Sequence, residues 1–110
     1  MSGYYELKKT ANGKTMFNLK AGNHQIVLTS EMYESKAAAQ NGIASVQANG
    51  PKASAYEKKT SAKGECYFVL KATNGQVVGK SEMYPSEAVC DKGIASVVRN
   101  SPSEKIVETA

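Results

Sequence analysis

Few side chains in this sequence of 110 residues have the chemistry of a catalytic or metal-binding site. The one histidine, His24, falls in a predicted hairpin turn, and Gly75 occupies the equivalent position later in the chain. Cys66 and Cys90 form no Cys-x-x-Cys pair, and a structural zinc site needs more ligands than these. We predict that both thiols are buried, with a redox role as the alternative. Because no phosphate-binding glycine loop is present either, the sequence indicates no enzyme, metal or cofactor.

A polar segment that occurs twice is the best candidate for a ligand site. Ser-Glu-Met-Tyr at 30–33 returns unchanged at 81–84, between the third predicted strand and the helix of each copy. In a functional interpretation the glutamates or the tyrosine hydroxyls face a ligand. In a structural interpretation, which the chemistry favours, the serines bond to the local backbone and the Met and Tyr side chains pack beside the helix. The candidate ligand-binding residues are Ser30, Glu31, Tyr33, Ser81, Glu82 and Tyr84.

A second candidate is the sheet face that the helices leave uncovered. Lys20, Tyr67 and Lys71 are predicted to lie on this face. Aromatic rings can stack on bases and lysines can neutralise phosphates, so a nucleic acid or another polyanion is a possible partner. The alternative is that solvated lysines on exposed strands simply discourage aggregation.

Composition and charge set broad limits on the class of protein. The hydrophobic fraction of 41% and the charged fraction of 22% are typical of globular proteins. The net charge of +4 fits a solvated surface as well as a polyanion partner. No apolar stretch approaches the ~20 residues that cross a bilayer, so no membrane association is predicted. The segment 1–6 lacks the features of a secretory signal, which leads us to expect a cytoplasmic location.

The elements that position these residues are duplicated with a constant offset of 51 positions. Phe-x-Leu-Lys-Ala at 17–21 returns at 68–72, and Gly-Ile-Ala-Ser-Val at 42–46 returns unchanged at 93–97. Gapless identity at several separate motifs excludes coincidence. The chain is therefore predicted to consist of two copies of one unit.

Each copy contains three strand signals followed by a helix signal. Asn12-Gly13 predicts a tight hairpin turn, and Lys63-Gly64 occupies the same place in the second copy. Asn74-Gly75 predicts a two-residue hairpin turn, and Asn23-His24 is the matching pair in the first copy. Ser35 and Ser86 are predicted N-caps. Gly42 and Gly93 lie on the apolar helix face, where we expect close packing against the sheet. A last strand is predicted at 105–108, and the strand around Tyr56 both closes the first unit and opens the second.

The doubled motifs at 17–21, 30–33 and 42–46 resemble those of the YegP-like family of uncharacterised bacterial proteins, over essentially the whole chain. The resemblance implies two β-β-β-α-β units in one continuous sheet, with their C-terminal strands exchanged and the helices packed on the sheet. It also implies that a tandem chain is a pseudo-dimer that needs no second copy. It implies no activity.

The combined prediction is an α+β protein of two tandem β-β-β-α-β repeats, 1–53 and 54–110, that share one antiparallel sheet within a single domain, 1–110. The predicted function is a small, non-enzymatic binding or interaction module whose partner the sequence does not identify. Weak polyanion binding through the sheet face is the first alternative, and an enzyme of unrecognised type is the second. We expect a monomer, because the repeats complete each other's core.

Overall fold

The computed structural model describes residues 3–109, so Met1, Ser2 and Ala110 of the predicted domain lie outside the described residues. The elements in chain order are β1 (Tyr4–Lys9), β2 (Thr15–Lys20), β3 (Ile26–Ser30), α1 (Lys36–Asn49), a 3₁₀ turn (Ala53–Ala55), β4 (Tyr56–Thr60), β5 (Cys66–Lys71), β6 (Val77–Lys80), α2 (Glu87–Asn100) and β7 (Ile106–Thr109). The order confirms the predicted α+β class and the two β-β-β-α-β repeats. No helix among residues 3–109 has the length and apolar character that crossing a membrane requires.

All seven strands belong to one sheet, in the order β4-β5-β6-β3-β2-β1-β7. The two repeats meet at its centre, where Thr29 and Ser30 of β3 pair with Lys80 and Gly79 of β6. Five of the pairings are antiparallel, and β7 pairs with β1 in parallel. The predicted single sheet is confirmed, but it is mixed and not wholly antiparallel.

The hairpin turns are longer than the Asn-Gly signals predicted. The amide of Thr10 donates to the carbonyl of Lys14 at 2.7 Å, and only Gly13 adopts a positive φ, of 83°. The turn at Gly75 has the same pattern. The two-residue prediction was wrong because one left-handed residue after an ordinary turn closes the hairpin equally well. His24 adopts this conformation too, with a φ of 70°.

Both helices begin at the predicted serines and pack on the same face of the sheet. The hydroxyl oxygens of Ser35 and Ser86 accept hydrogen bonds from the amides of Ala38 and Val89 at 3.1 and 3.3 Å. The core combines the helix-facing side chains of the strands with one stripe of each helix. Its fully buried members include Tyr5, Phe17, Leu19, Leu28, Ile43, Val46, Phe68, Leu70, Cys90 and Val97. The single apolar face of each element explains why one repeat alone would leave its sheet uncovered.

The strand that follows each helix pairs with the other repeat, as the family resemblance implied. β4 follows α1 and pairs with β5, and β7 follows α2 and pairs with β1. The two exchanges differ, because β1 already fills the place beside β2 that β4 fills beside β5. β7 is therefore displaced outward by one position. The sheet consequently has a covered end, where β7 lies outside β1, and an end at β4 with no strand outside it among residues 3–109.

Candidate functional site

The serines of the repeated Ser-Glu-Met-Tyr segments are buried and fully engaged with the backbone. The hydroxyl of Ser30 accepts a bond from the amide of Phe17 at 2.9 Å and donates to the carbonyl of Glu31 at 2.8 Å. Ser81 makes the equivalent bonds to Phe68 and Glu82 at 2.9 and 2.8 Å. These bonds fix the point where the chain leaves β3 and β6, as the structural interpretation requires.

The tyrosines of the same segments form part of the packing below each helix. The ring of Tyr33 stacks on Phe17 with 6.1 Å between centroids, and its backbone pairs with that of Thr15. The ring of Tyr84 stacks on Phe68 at 6.3 Å in the same way. Burial raises the pKa of both phenols, and Glu31 and Glu82 add to the rise. Neither phenol is therefore activated as a base or a nucleophile near neutral pH.

The two segments do not converge on one site. β3 and β6 are antiparallel and overlap only around Ser30 and Gly79, so the segments leave the sheet in opposite directions. Glu31 and Glu82 are exposed. A pocket between the repeats with both glutamates facing it, which would favour a small ligand, is not formed by this geometry.

The three residues of the predicted polyanion site are dispersed, and each already has a partner. Lys20 contacts Glu6 with 3.0 Å between Nζ and Oε1, and Lys71 contacts Glu57 at 2.6 Å. Lys80 lies over the ring of Tyr67 at 5.0 Å from its centroid. β2 and β5 are separated by β3 and β6, which places Lys20 about 14 Å across the sheet from the strand of Lys71. Neutralised, dispersed lysines form no concentrated positive patch.

The cysteines and the histidine also lie apart from any recognisable catalytic arrangement. Cys66 and Cys90 are free and buried, as predicted. Burial, with a hydrogen bond that the Cys90 thiol donates to Cys66, raises the pKa of Cys90 to about 12, which disfavours the reactive thiolate. The Nδ1 atom of His24 lies 2.9 Å from the hydroxyl of Tyr4 in an exposed pair. Within residues 3–109, no three His, Cys, Asp or Glu side chains gather as a metal site requires.

The feature that most resembles a binding site is the β4 edge, which we define as the outer edge of β4 together with an adjoining cleft. The cleft has a volume of about 460 Å³ and a lining of mixed polar and apolar residues. It lies between the end of α1, the start of β4 and the hairpin after β5. Its lining includes Asn49, Lys52, Ala55, Tyr56, Lys71 and Gly75.

Comparison of the two ends of the sheet explains why the cleft exists. At the covered end, Tyr4 packs edge-on against His24 at 5.8 Å, and Lys105 lies over the Tyr4 ring at 5.6 Å. In the 51-residue register, Ala55 replaces Tyr4 and Gly75 replaces His24. The cleft therefore corresponds to the space that the rings of Tyr4 and His24, with Lys105 before β7, occupy at the covered end.

The helix-facing side of the β4 edge differs from its counterpart in the sign of its charge. At the covered end, Lys36 of α1 contacts both carboxylate oxygens of Glu108 of β7 at 2.6 Å. The residue of α2 equivalent to Lys36 is Glu87. Lys58 of β4 contacts Glu87 at 3.4 Å and Asp91 at 2.8 Å, and these bonds raise the pKa of Lys58. The two carboxylates outnumber the lysine.

Sequence reasoning selected one residue of this site, Lys71, and for a different role. It missed Asn49, Ala55, Tyr56 and Gly75, because neither alanine nor glycine suggests chemistry by its type. The signal that could have found them is the difference between the copies, since Tyr4/Ala55 and His24/Gly75 are large-to-small pairs in a well-preserved repeat. The residues that the two copies share form the core, and the candidate site lies where the copies differ.

The chain matches a family described as a domain of unknown function, DUF1508, twice, at residues 11–57 and 61–108. The UPF0339 protein YegP of Yersinia pestis is 58% identical over 104 residues, which cover 94% of this chain and 93% of that protein. A UPF0339 protein of Bordetella pertussis is 56% identical over 102 residues, which cover 93% of this chain and 91% of that protein.

Two solved structures have the same fold. The solution NMR structure of YegP from E. coli, a protein of unknown function, superposes with a TM-score of 0.94 at 46% identity and covers 99% of this chain and 94% of its own. The solution NMR structure of a UPF0339 protein of Shewanella oneidensis superposes with a TM-score of 0.91 at 47% identity. The match covers 98% of this chain and 92% of that protein's chain. These relatives bring no established activity. The chain belongs to the DUF1508 family of YegP-like proteins, with two tandem copies of the family's domain.

Proposed function

We propose that this protein is a non-enzymatic interaction module that binds an extended segment of a partner protein as an added strand beside β4. The observation that carries the proposal is the difference between the two ends of the sheet. β7 lies parallel to the outer edge of β1, and the equivalent position beside β4 holds no strand from residues 3–109. Addition of a strand to an exposed sheet edge is an established mode of peptide recognition.

The hydrogen-bonding groups of β4 support this mode. The amide of Ser61 bonds to the carbonyl of Glu65, and Glu57 and Lys59 follow in the same alternation along the ladder with β5. The amide of Lys58 therefore points away from β5, toward the unoccupied side. At the covered end, the amide of Tyr5 points outward in the same way and donates to the carbonyl of Lys105 at 2.9 Å.

The proposal includes a monomeric protein in the cytoplasm, folded as a single domain. The exchange of strands between repeats supports the monomer, because each repeat completes the other without a second chain. Cys66 and Cys90 are buried and form no disulfide, which fits a reducing compartment. Ligand binding at Ser30, Glu31, Tyr33, Ser81, Glu82 and Tyr84 stays a prediction, with Glu31 and Glu82 as its exposed members. The geometry of Lys20 and Tyr67 gives no support to the polyanion alternative.

The test is an amide NMR titration of the 15N-labelled protein with a capped peptide, SEKIVQT. This peptide has the sequence of residues 103–109 with glutamine in place of Glu108, so it mimics β7 without the carboxylate charge of Glu108. We expect saturable shifts in 56–60 and in the cleft residues. Lys58→Pro should abolish them, because proline removes the outward donor and leaves the inner ladder intact.

Lys58→Ala is the matched control, since it removes the same side chain and keeps the amide. It should retain binding. Shifts of equal size in Lys58→Pro, or shifts centred on β1, would exclude docking beside β4. No saturable shift with millimolar peptide would also reject the proposal.

A further inference from the structure

We infer that the strand bound at the β4 edge carries an aromatic residue and, three positions later, a basic residue. This inference rests on the proposed function and specifies the chemistry of the partner. We number the partner strand from the register of β7, in which Ile106 lies opposite Tyr5 and Glu108 lies opposite Leu7. Position 1 then lies opposite Tyr56 and position 3 lies opposite Lys58.

The basic residue belongs at position 3. In the covered end this position is Glu108, which pairs with Lys36 at the start of α1. At the β4 edge the equivalent of Lys36 is Glu87, and Asp91 lies within reach of the same point, 2.8 Å from Lys58. Lys58 balances only one of the two carboxylates. A lysine or arginine at position 3 would balance the other, whereas a second glutamate would add repulsion.

The aromatic residue belongs at position 0, immediately before the residue opposite Tyr56. Its counterpart in the covered end is Lys105, whose side chain reaches over the ring of Tyr4. Because Ala55 and Gly75 replace Tyr4 and His24, a side chain at position 0 reaches into the cleft and not onto a ring. An aromatic side chain there restores the missing packing, beside Lys52 and the Lys71–Glu57 ion pair that line the cleft.

The same charges disfavour a second copy of this chain as the occupant. Its own β7 would bring Glu108 to Glu87 and Asp91. Antiparallel pairing of two β4 strands would place Lys58 and Lys59 of each copy close to those of the other. Lysines at a sheet edge are a common means of preventing such self-association.

Charge reversal tests the basic residue. Two capped peptides, SEYIVKT and SEYIVET, differ only at position 3. We expect the lysine peptide to bind about two- to fivefold more tightly to the unmodified protein, the range typical of an exposed ion pair. In Glu87→Lys, which reproduces Lys36 of the covered end, the preference should reverse. Glu87 is exposed at the first turn of α2, so this variant is expected to fold.

Filling the cleft tests the aromatic residue. SEYIVKT should bind more tightly than SEAIVKT, and Ala55→Tyr should remove the difference because the new ring occupies the cleft. Ala55→Ser is the matched control because serine leaves the cleft open. This variant should keep the difference in affinity between the two peptides.

The outcomes separate this inference from the function on which it rests. Binding of all peptides beside β4 with equal affinity, unchanged by Glu87→Lys and Ala55→Tyr, would overturn the inference and leave the proposed function standing. Absence of shifts in 56–60 with every peptide would overturn both. Shifts in 56–60 that depend on protein concentration without peptide would assign the edge to a second copy and overturn the inference.

Discussion

Two equivalent tyrosines connect each repeat to the helix of the other. The hydroxyl of Tyr5 donates to the carbonyl of Ser101 at 2.6 Å, and that of Tyr56 donates to the carbonyl of Gly50 at 2.7 Å. Both carbonyls lie just after a helix, where backbone acceptors lack partners within the helix. Single side chains therefore cap the helix ends across the boundary between repeats, and they link two halves that are covalently joined only through the segment after α1.

Removal of the two hydroxyls should have unequal effects. Tyr5 and Ser101 are fully buried, so Tyr5→Phe leaves the carbonyl of Ser101 without a partner and should cost about 1–3 kcal/mol of unfolding free energy. Tyr56 is only half-buried, and water can replace its hydroxyl, so Tyr56→Phe should cost about 1 kcal/mol or less. Urea denaturation measures both. Tyr4→Phe, at an exposed pair, serves as the control, and equal costs at Tyr5 and Tyr56 would contradict the argument.

At the scale of elements, the helices approach the sheet through their glycines. A Cβ atom at Gly42 would lie 2.3 Å from the hydroxyl of Tyr33 and 3.0 Å from Cε2 of Phe17. At Gly93 it would lie 2.6 Å from the hydroxyl of Tyr84. The predicted close packing is confirmed, and its partners are the rings that connect the sheet to the helix. The helix therefore tolerates glycine because no other residue leaves room for the stacked tyrosine.

Gly42→Ala should consequently destabilise the protein, although alanine is the better helix former. Overpacking typically costs about 1–3 kcal/mol, against a gain of about 1 kcal/mol in helix propensity. In a Tyr33→Ala background the nearer ring is absent and only Phe17 stays close, so the same substitution should cost less unfolding free energy. Thermal and urea unfolding of the four variants of this cycle give both values. Stabilisation by Gly42→Ala in the unmodified protein would show that the ring moves aside at little cost.

For the whole molecule, the pseudo-symmetry is close at the centre of the core and broken toward the edges. Phe17, Leu19 and Val46 are buried, and so are their equivalents Phe68, Leu70 and Val97. Leu7 is buried as well, whereas its equivalent on the outer strand, Lys58, is exposed. β7 covers one end of the sheet, and no strand from residues 3–109 lies outside β4 at the other end. In the proposed mode of binding, a partner would touch only β4 and the cleft, so the stability of the shared core would not depend on the partner.

The protonated core predicts a loss of stability in alkali. Burial raises the pKa of Cys90 from 9.0 to about 12 and raises the pKa of Tyr5, Tyr33, Tyr56 and Tyr84 above 10.0. Below pH 9 these groups are protonated in the folded and unfolded states alike. Above it the unfolded chain releases protons first, so the free energy of unfolding should fall as the pH rises from about 9 through about 12.

Urea denaturation at pH 8, 9, 10 and 11 checks this expectation. Cys90→Ala is a matched variant, because alanine occupies the equivalent position of the first repeat, Ala39. It should flatten the first part of the decline, between pH 9 and 10. A free energy of unfolding that stays constant to pH 11 would contradict this expectation, because it would mean that these groups ionise equally easily in the folded and unfolded states.

The sequence by itself determined the local structure and the existence of the two repeats. Hydrophobic periodicity, N-cap serines and the 51-residue offset depend on residues close together in the chain, so they can be read without knowing the fold. The buried state of Cys66 and Cys90 and the one-sided core followed from the same patterns. The family resemblance added the exchange of strands.

Only the tertiary structure decided which edge of the sheet β7 covers and which edge has no strand outside it among residues 3–109. Strand pairing joins residues far apart in the chain, and the parallel addition of β7 to β1 leaves no local signal at β4. The roles of charged residues were also undecided, since Lys20 and Lys71 look like free cations until Glu6 and Glu57 are placed beside them. Non-local pairing of strands and of charged side chains, which no local pattern encodes, therefore places the candidate site.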